Sequence, residues 1–393
     1  MKSPLEFLNL PKEKVEVLED LRAMVREFVN REIRPISREM EKREEIPKEL
    51  IKKMAEQGFF GILLPEEYGG AGLGELGNVV LQEEITRGDA SVAVLLGAST
   101  GLCGGAINIG GNKEQKEKYL TKIATGEYIG CFALTEPNAG SDAQHIETTA
   151  VKKGDRWILN GSKLYVSNGD IADIAVVFAA NDRSLGAYGG ITAFIVETSW
   201  KGWKVMKKEK KMGIRASGTA YVVLEDLEVP EENVLGQVGQ GFKIAMETLD
   251  IGRITLGAGC LGGAKEAFEV AWKFANERKQ FGQPIKNFQI IQHYLSRMVI
   301  DIFTLESLLY RTAWMADNGY DVIREASIVK VFASEVLDRA VDLALQIHGG
   351  AGYIEDYPVE KMYRDARINR IFEGTNEIQE YVIFKTLERR GGL

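Results

Sequence analysis

Cysteine is scarce in this 393-residue chain: Cys103, Cys131 and Cys260 are all there is. They are far apart and sit among apolar neighbours, which excludes a disulfide framework or a thiolate metal site and leaves them as buried small hydrophobes. Excess positive charge is missing too. A net charge of -8 argues against a general nucleic-acid binder, which needs a basic face to displace phosphate counterions. The one Lys-rich run, "KKEKK" at 207–211, reads as a solvated edge or loop. No stretch of about 20 apolar residues stands out as a membrane span. The amino terminus, "MKSPLEFLNLPKEK", lacks the apolar core of a signal peptide. A protein of the reducing cytoplasm is expected.

What is present is an average globular composition, 45% hydrophobic and 27% charged, in a chain long enough for two or three domains. Helical periodicity, as in "VLEDLRAMVREFVNREI", recurs from Val15 to about Lys122, broken by turn clusters at "PEEYGGAGLG" and "NIGGN". Between about Gly126 and Val234 the runs "YIGCFALTEP", "WILNGSKLYVSN", "IADIAVVFAA", "GITAFIVE" and "TAYVVLEDLEV" alternate with Gly, Asn and Asp turns, as strands do. Long helical patterns return from Gly239 and predict a bundle. The fold class is therefore mainly α with a central β domain: an N-terminal helical domain over 1–125, a middle antiparallel β domain over 126–236 and a C-terminal four-helix bundle over 237–393.

That order excludes a doubly wound sheet, in which strands and helices alternate throughout. "GAGCLG" (257–262) matches the dinucleotide fingerprint G-x-G-x-x-G in letters only. The fingerprint needs a strand before it, and "METLDIGRITL" continues a helix instead. Small residues here predict close approach of two helices.

Several short motifs each admit a bland and a functional reading. "LTEPNAGSD" (134–142) is a turn, or a loop whose Thr135 and Ser141 hydroxyls bond a flat polar ring. In "LYVSNG" (164–169) strand alternation puts Tyr165 and Ser167 on one face, for core packing or for an aromatic cofactor. In "ERKQFGQPI" (277–285) Arg278 and Lys279 suit a helix dipole. "QIHGGAGY" (346–353) is a helix C-cap or a phosphate-binding turn. In "RIFEGTNEIQ" (370–379) Thr375 or Asn376 caps a helix, with Glu373 solvated ahead of it, or Glu373 has work of its own.

Together with "KMGIRASGT" and "LDIGR", and in this order over nearly the whole chain, these motifs resemble the acyl-CoA dehydrogenases. The resemblance implies noncovalent FAD, an acyl-CoA substrate, electrons passed to an electron-transferring flavoprotein, and a homotetramer built as a dimer of dimers. By motif, the flavin ring would lie against Phe132, Ala133, Leu134, Thr135, Ser141, Tyr165, Val166 and Ser167. Arg278, Gln280, Gln289, Gln346, Gly349 and Gly350 would reach the cofactor's pyrophosphate and adenosine across a subunit interface, with Thr375 and Glu377 completing the site. Ser141, Asp250, Arg253, Phe372 and Gly374 would lie near the substrate. Most members have Trp and Thr where this chain has Tyr165 and Ser167; the ring and hydroxyl are kept, but the flavin's shielding from solvent is open to question.

The resemblance makes Glu373 the catalytic base. Removing the weakly acidic α-proton of a thioester while a hydride leaves the β-carbon for the flavin requires a carboxylate, a stabilised enolate and exclusion of water. Ile371 and Phe372 would raise the Glu373 pKa by desolvation. A minority of the family takes the base from the residue before the arginine of "LDIGR", which here is Gly252 and cannot accept a proton. The uncharged stretch 91–109, with Ala93 where relatives handling dicarboxylyl groups have arginine, predicts an uncharged acyl group; Gly97, Ala98 and Gly101 either give it room or pack helices closely. A flavin oxidase or monooxygenase on the same fold and a non-catalytic scaffold are the alternatives, the latter disfavoured by the intact Glu373.

Overall fold

The computed structural model describes residues 3–392. Helices occupy the first third, among them Lys12–Phe28, Gly74–Gly88 and Ala90–Leu96. Eight strands follow: β1 (Gly130–Ala133), β2 (Thr149–Lys153), β3 (Arg156–Ser167), β4 (Ile174–Ala180), β5 (Ile191–Glu197), β6 (Trp203–Lys208), β7 (Thr219–Pro230) and β8 (Val234–Leu235). The C-terminal third packs the helices Gly241–Glu277, Gln289–Asp317, Ile323–His348 and Asn376–Arg390.

One apolar core runs through both helical thirds, joining Leu21, Val79 and Leu95 to Leu261, Leu309 and Val336. The join is tight because glycine allows it. A Cβ on Gly262 would lie 2.0 Å from the Glu83 carbonyl oxygen, and one on Gly257 would lie 2.4 Å from Val329. The "GAGCLG" segment is therefore the close helix contact expected of it, in the middle of the 241–277 helix. The 74–88 helix starts where Asp317, at the end of the 289–317 helix, accepts the Glu75 and Leu76 amides at 2.6 and 3.2 Å. A carboxylate there satisfies two of the unpaired N–H groups of a helix start and opposes its positive dipole end.

The sheet runs β6-β7-β3-β2-β4-β5-β8, with β1 beside β4. It is not wholly antiparallel. β1 pairs parallel to β4, from Gly130↔Ile174 to Ala133↔Val177, and β2 meets β4 in parallel at Thr149↔Ala180. The connection after β1 returns the chain, as β2, to the same edge of β4, and β4 comes to lie parallel to both because the β2-β3 hairpin precedes it. The continuous helical stretch Ala90–Gly110 is long and apolar enough to cross a membrane by composition, yet 72% of its most apolar window is buried inside the protein. It is placed as a core helix. The three cysteines are free and buried. Of the "KKEKK" run, Lys207 and Lys208 end the exposed edge strand β6, while Lys211 turns inward and donates to the Ser217 carbonyl at 2.7 Å.

Candidate functional site

A cleft of about 1240 Å³ opens where the sheet, the bundle and the first helical third meet. Its sheet wall is built by a bulge. Between Lys163 and Val166 the pairing of β3 with β7 shifts register, and Tyr165 takes a left-handed backbone with φ 57°. Simple alternation therefore does not explain how Tyr165 and Ser167 come to line the cleft together. The bulge re-aims the ring, as bulges beside binding sites do, and leaves Tyr165 63% exposed. Leu164 N–H donates to the Thr135 carbonyl at 2.8 Å, tying the bulge to the loop after β1. The fully buried Lys163 clamps that loop, donating to the Leu134 carbonyl at 3.2 Å and to Glu136 at 2.6 Å. Asn168 then bonds the carbonyls of Leu95 and Gly130, fixing the strand end to the helical wall opposite.

Phe132, Leu134, Thr135, Ser141, Tyr165 and Ser167 all line the cleft. Ala133 and Val166 do not; their side chains are buried in the sheet's inner core, so only their backbone is available. On the facing wall are Arg253, Phe372, Glu373, Gly374 and Thr375. Asp250 stands just behind, bonded to the Arg253 guanidinium. Burial lifts the Asp250 carboxyl to about 6, against the pull of Arg253. Arg253 is itself 5% exposed and its Nε has no partner.

Glu373 sits at the centre. Its backbone is left-handed, φ 56°, followed by Gly374 at φ 87°. For a glutamate this is a strained conformation of the kind that concentrates at functional sites. The buried Gln379 amide holds the turn, donating to the carbonyls of Glu373 and Gly374 at 3.3 Å each. The turn turns the Glu373 carboxyl inward; its Oε2 is sealed from solvent and has no hydrogen-bond partner. Burial raises its pKa to about 7, with Arg253 and Lys330 opposing the shift. Among the described residues its backbone N–H donates to no group. A Cβ placed on Gly252 would come within 2.8 Å of that Oε2 and 3.0 Å of Leu102, so the two alternative base positions of the sequence reading do face the same spot.

The helix-cap reading of this stretch is also correct in part: Thr375 caps the 376–390 helix, accepting Ile378 N–H at 3.3 Å. Asn376 is buried instead, its Oδ1 accepting from Lys330 Nζ at 2.8 Å. Lys330 escaped the sequence reading, as did Gln82 and Thr86 in the cleft's inner wall. For Lys330 there was no motif signal. Gln82 and Thr86 could have been noticed, with Asn78, as uncharged polar residues recurring at period four along one helix.

Arg278, Gln280, Gln289, Gln346, Gly349, Gly350 and Glu377 are exposed and lie outside the cleft lining. Phe281 beside them is 94% exposed, and Gly349 closes the 323–348 helix at φ 58°.

A carboxyl raised toward neutrality, its inner oxygen sealed, faces hydroxyls and an aromatic ring across a largely apolar cleft, an arrangement suited to proton abstraction beside a flat cofactor. The sequence comparisons place it. Family models for the N-terminal, middle and C-terminal domains of acyl-CoA dehydrogenase match residues 16–127, 131–227 and 239–388. A short-chain specific acyl-CoA dehydrogenase of Clostridium acetobutylicum is 44% identical over 92% of this chain and 96% of its own. A 3-(aryl)acrylate reductase of Clostridium sporogenes is 44% identical over 93% and 97%. A chain in a solved structure of the electron transferring flavoprotein of Acidaminococcus fermentans superposes with a TM-score of 0.94, at 44% identity, over 97% of this chain and 99% of that one. The chain belongs to the acyl-CoA dehydrogenase family, and its cofactor is FAD.

Proposed function

We propose that Glu373 removes the α-proton of an uncharged acyl-CoA thioester, beginning its conversion to the trans-2-enoyl-CoA. The observation that carries this is the Glu373 carboxyl itself: its Oε2 is sealed and unpartnered, and burial raises the group to about 7. A base of that pKa is half ionised at neutral pH and strong enough for the task. The free N–H of Glu373 suits the thioester oxygen on which the enolate charge gathers. FAD, when bound, accepts the hydride from the β-carbon. Thr135, Ser141 and Ser167 are the hydroxyls available to it, with Tyr165 as the ring at its face, and the residues present fit that group. Leu102, Phe372 and the apolar cleft walls keep water from the reacting carbons.

The electron acceptor proposed is an electron-transferring flavoprotein. The likeness to a chain in a solved structure of an electron transferring flavoprotein supports it. A homotetramer is proposed from the exposed residues Arg278, Gln280, Gln289, Gln346 and Gly349, which lie outside their own chain's cleft and would serve a neighbour's cofactor. The apolar residues Ile290, Ile300 and Phe303, exposed on the 289–317 helix, support burial there by another protomer.

Anaerobic mixing of the FAD-loaded protein with a panel of acyl-CoAs tests the reading. Bleaching of the oxidised flavin band is expected, and glutaryl-CoA as the best substrate would overturn the uncharged tail. The exposed Tyr165 ring leaves the flavin face more open than an indole would, which favours oxygen as the rival acceptor. Admitting oxygen to the reduced protein decides between them: slow recovery supports the dehydrogenase and rapid peroxide formation the oxidase.

A further inference from the structure

The inner wall of the cleft holds a hydrogen-bond donor that the reaction does not use. Asn78, Gln82 and Thr86 stand one turn apart on the 74–88 helix, whose other buried residues include Leu76, Val79, Val80 and Leu81 and the acids Glu75, Glu83 and Glu84. Polar groups in such a place are costly unless bonded. Two of the three are. Asn78 Nδ2 donates to Thr255 Oγ1 at 2.8 Å, and Thr86 Oγ1 donates to the Gln82 carbonyl at 2.8 Å. The side-chain amide nitrogen of Gln82 has no partner, although the residue is only 2% exposed.

The space in front of it is made by glycine. Gly97, Gly259 and Gly263 line the cleft together with Gln82. A Cβ on Gly97 would stop 3.8 Å from Thr255 and 4.0 Å from Gln82 Nε2, so the missing side chain leaves room rather than drawing two backbones together. Gly252, beside the Glu373 carboxyl, precedes Thr255 and Gly259 by one and two turns of the same helix. At about 1.5 Å per residue the donor therefore lies roughly 5 to 10 Å along the cleft from the α-carbon. A charged tail does not suit it. The nearby Arg87 guanidinium is already paired with Glu269 at 2.5 Å and Glu266 at 3.5 Å.

We propose that the acyl group carries a neutral oxygen (a hydroxyl, keto or ether group) toward its distal end, and that the Gln82 amide donates to it. Gln82 is then a specificity-determining residue. This rests on the acyl-CoA reading above and narrows it. An unsubstituted tail filling the same space strands the amide, and a site built to bond an oxygen rejects the analogue without it. An apolar pocket does the reverse.

Two matched pairs test this by kcat/KM for flavin reduction: 6-hydroxyhexanoyl-CoA against hexanoyl-CoA, and 3-(4-hydroxyphenyl)propanoyl-CoA against 3-phenylpropanoyl-CoA. The hydroxylated member is expected to be favoured about tenfold in at least one pair. In Gln82→Met, close in length and without the donor, that preference should fall to unity or reverse while the unsubstituted member reacts as well or better. The idea is overturned if the unsubstituted member wins both pairs in the native protein, or if the preference survives in Gln82→Met. Should that variant fail to retain FAD, the native ratios alone decide. Bleaching by the unsubstituted members without any preference sinks this inference only; no bleaching by any acyl-CoA sinks the dehydrogenase reading with it.

Discussion

Replacing Glu373 by Gln keeps its volume and removes the proton acceptor. Flavin reduction in anaerobic stopped flow should then fall by about 10² to 10⁴ with FAD retained; a near-native rate would show the base to be elsewhere. In the native protein the same rate constant should rise with pH through about 7, where the buried carboxyl ionises. Lys330, whose own pKa burial lowers to about 8, is one of the two cations that restrain this shift. Lys330→Met should move the midpoint upward. The stability effect has the opposite sign to the rate. A carboxyl raised in the folded state takes up protons that the unfolded chain has released, so its contribution is full below pH 4.5 and is lost as pH rises through 7. Glu373→Gln should accordingly melt higher than the native protein at pH 8 and alike at pH 4. A rescuing Glu at 252 needs space, because its Cβ would crowd the 373 carboxyl at 2.8 Å. Gly252→Glu should therefore restore more activity in Glu373→Gly, where the left-handed backbone is relaxed by glycine, than in Glu373→Gln, where the two side chains collide.

Between elements, the glycines differ in kind. Gly262→Ala places a methyl against the Glu83 carbonyl at 2.0 Å and should cost about 1 to 3 kcal/mol by forcing the two helices apart. Gly97→Ala meets only ordinary contacts, so its melting temperature should match the native one while long acyl tails react more slowly; calorimetry and the substrate panel separate the two. This distinction was open in the sequence, where both are small residues in helices. The long helices and five of the strands were legible, because apolar periodicity is strong where one face is buried. β2, β6 and β8 were not. β6 is a mostly exposed edge, β8 has two residues, and β2 shows only one buried position. The parallel placement of β1 could not be read either, since pairing direction depends on where the chain returns. At the site, motifs led to Glu373, Thr135 and Ser167, whereas Lys330 owes its significance to a partner far away in sequence and Gln82 to a buried amide that no partner satisfies.

For the whole molecule, Arg278→Ala should weaken FAD retention and the assembly together if the exposed residues serve a neighbouring protomer, because each site is then incomplete alone. Light scattering and flavin absorbance on the same sample test it; a fully active, FAD-loaded monomer would rule it out. The core shared by the first and last thirds has a consequence for synthesis on the ribosome. The 74–88 helix is made roughly 190 residues before the 241–277 helix that covers it is complete, about 10 to 40 s at ordinary elongation rates. For that interval its apolar face has no native partner. A nascent chain stalled after β8 should bind a hydrophobic-surface dye or a holdase chaperone, and lose that binding once the 241–277 helix has cleared the exit tunnel.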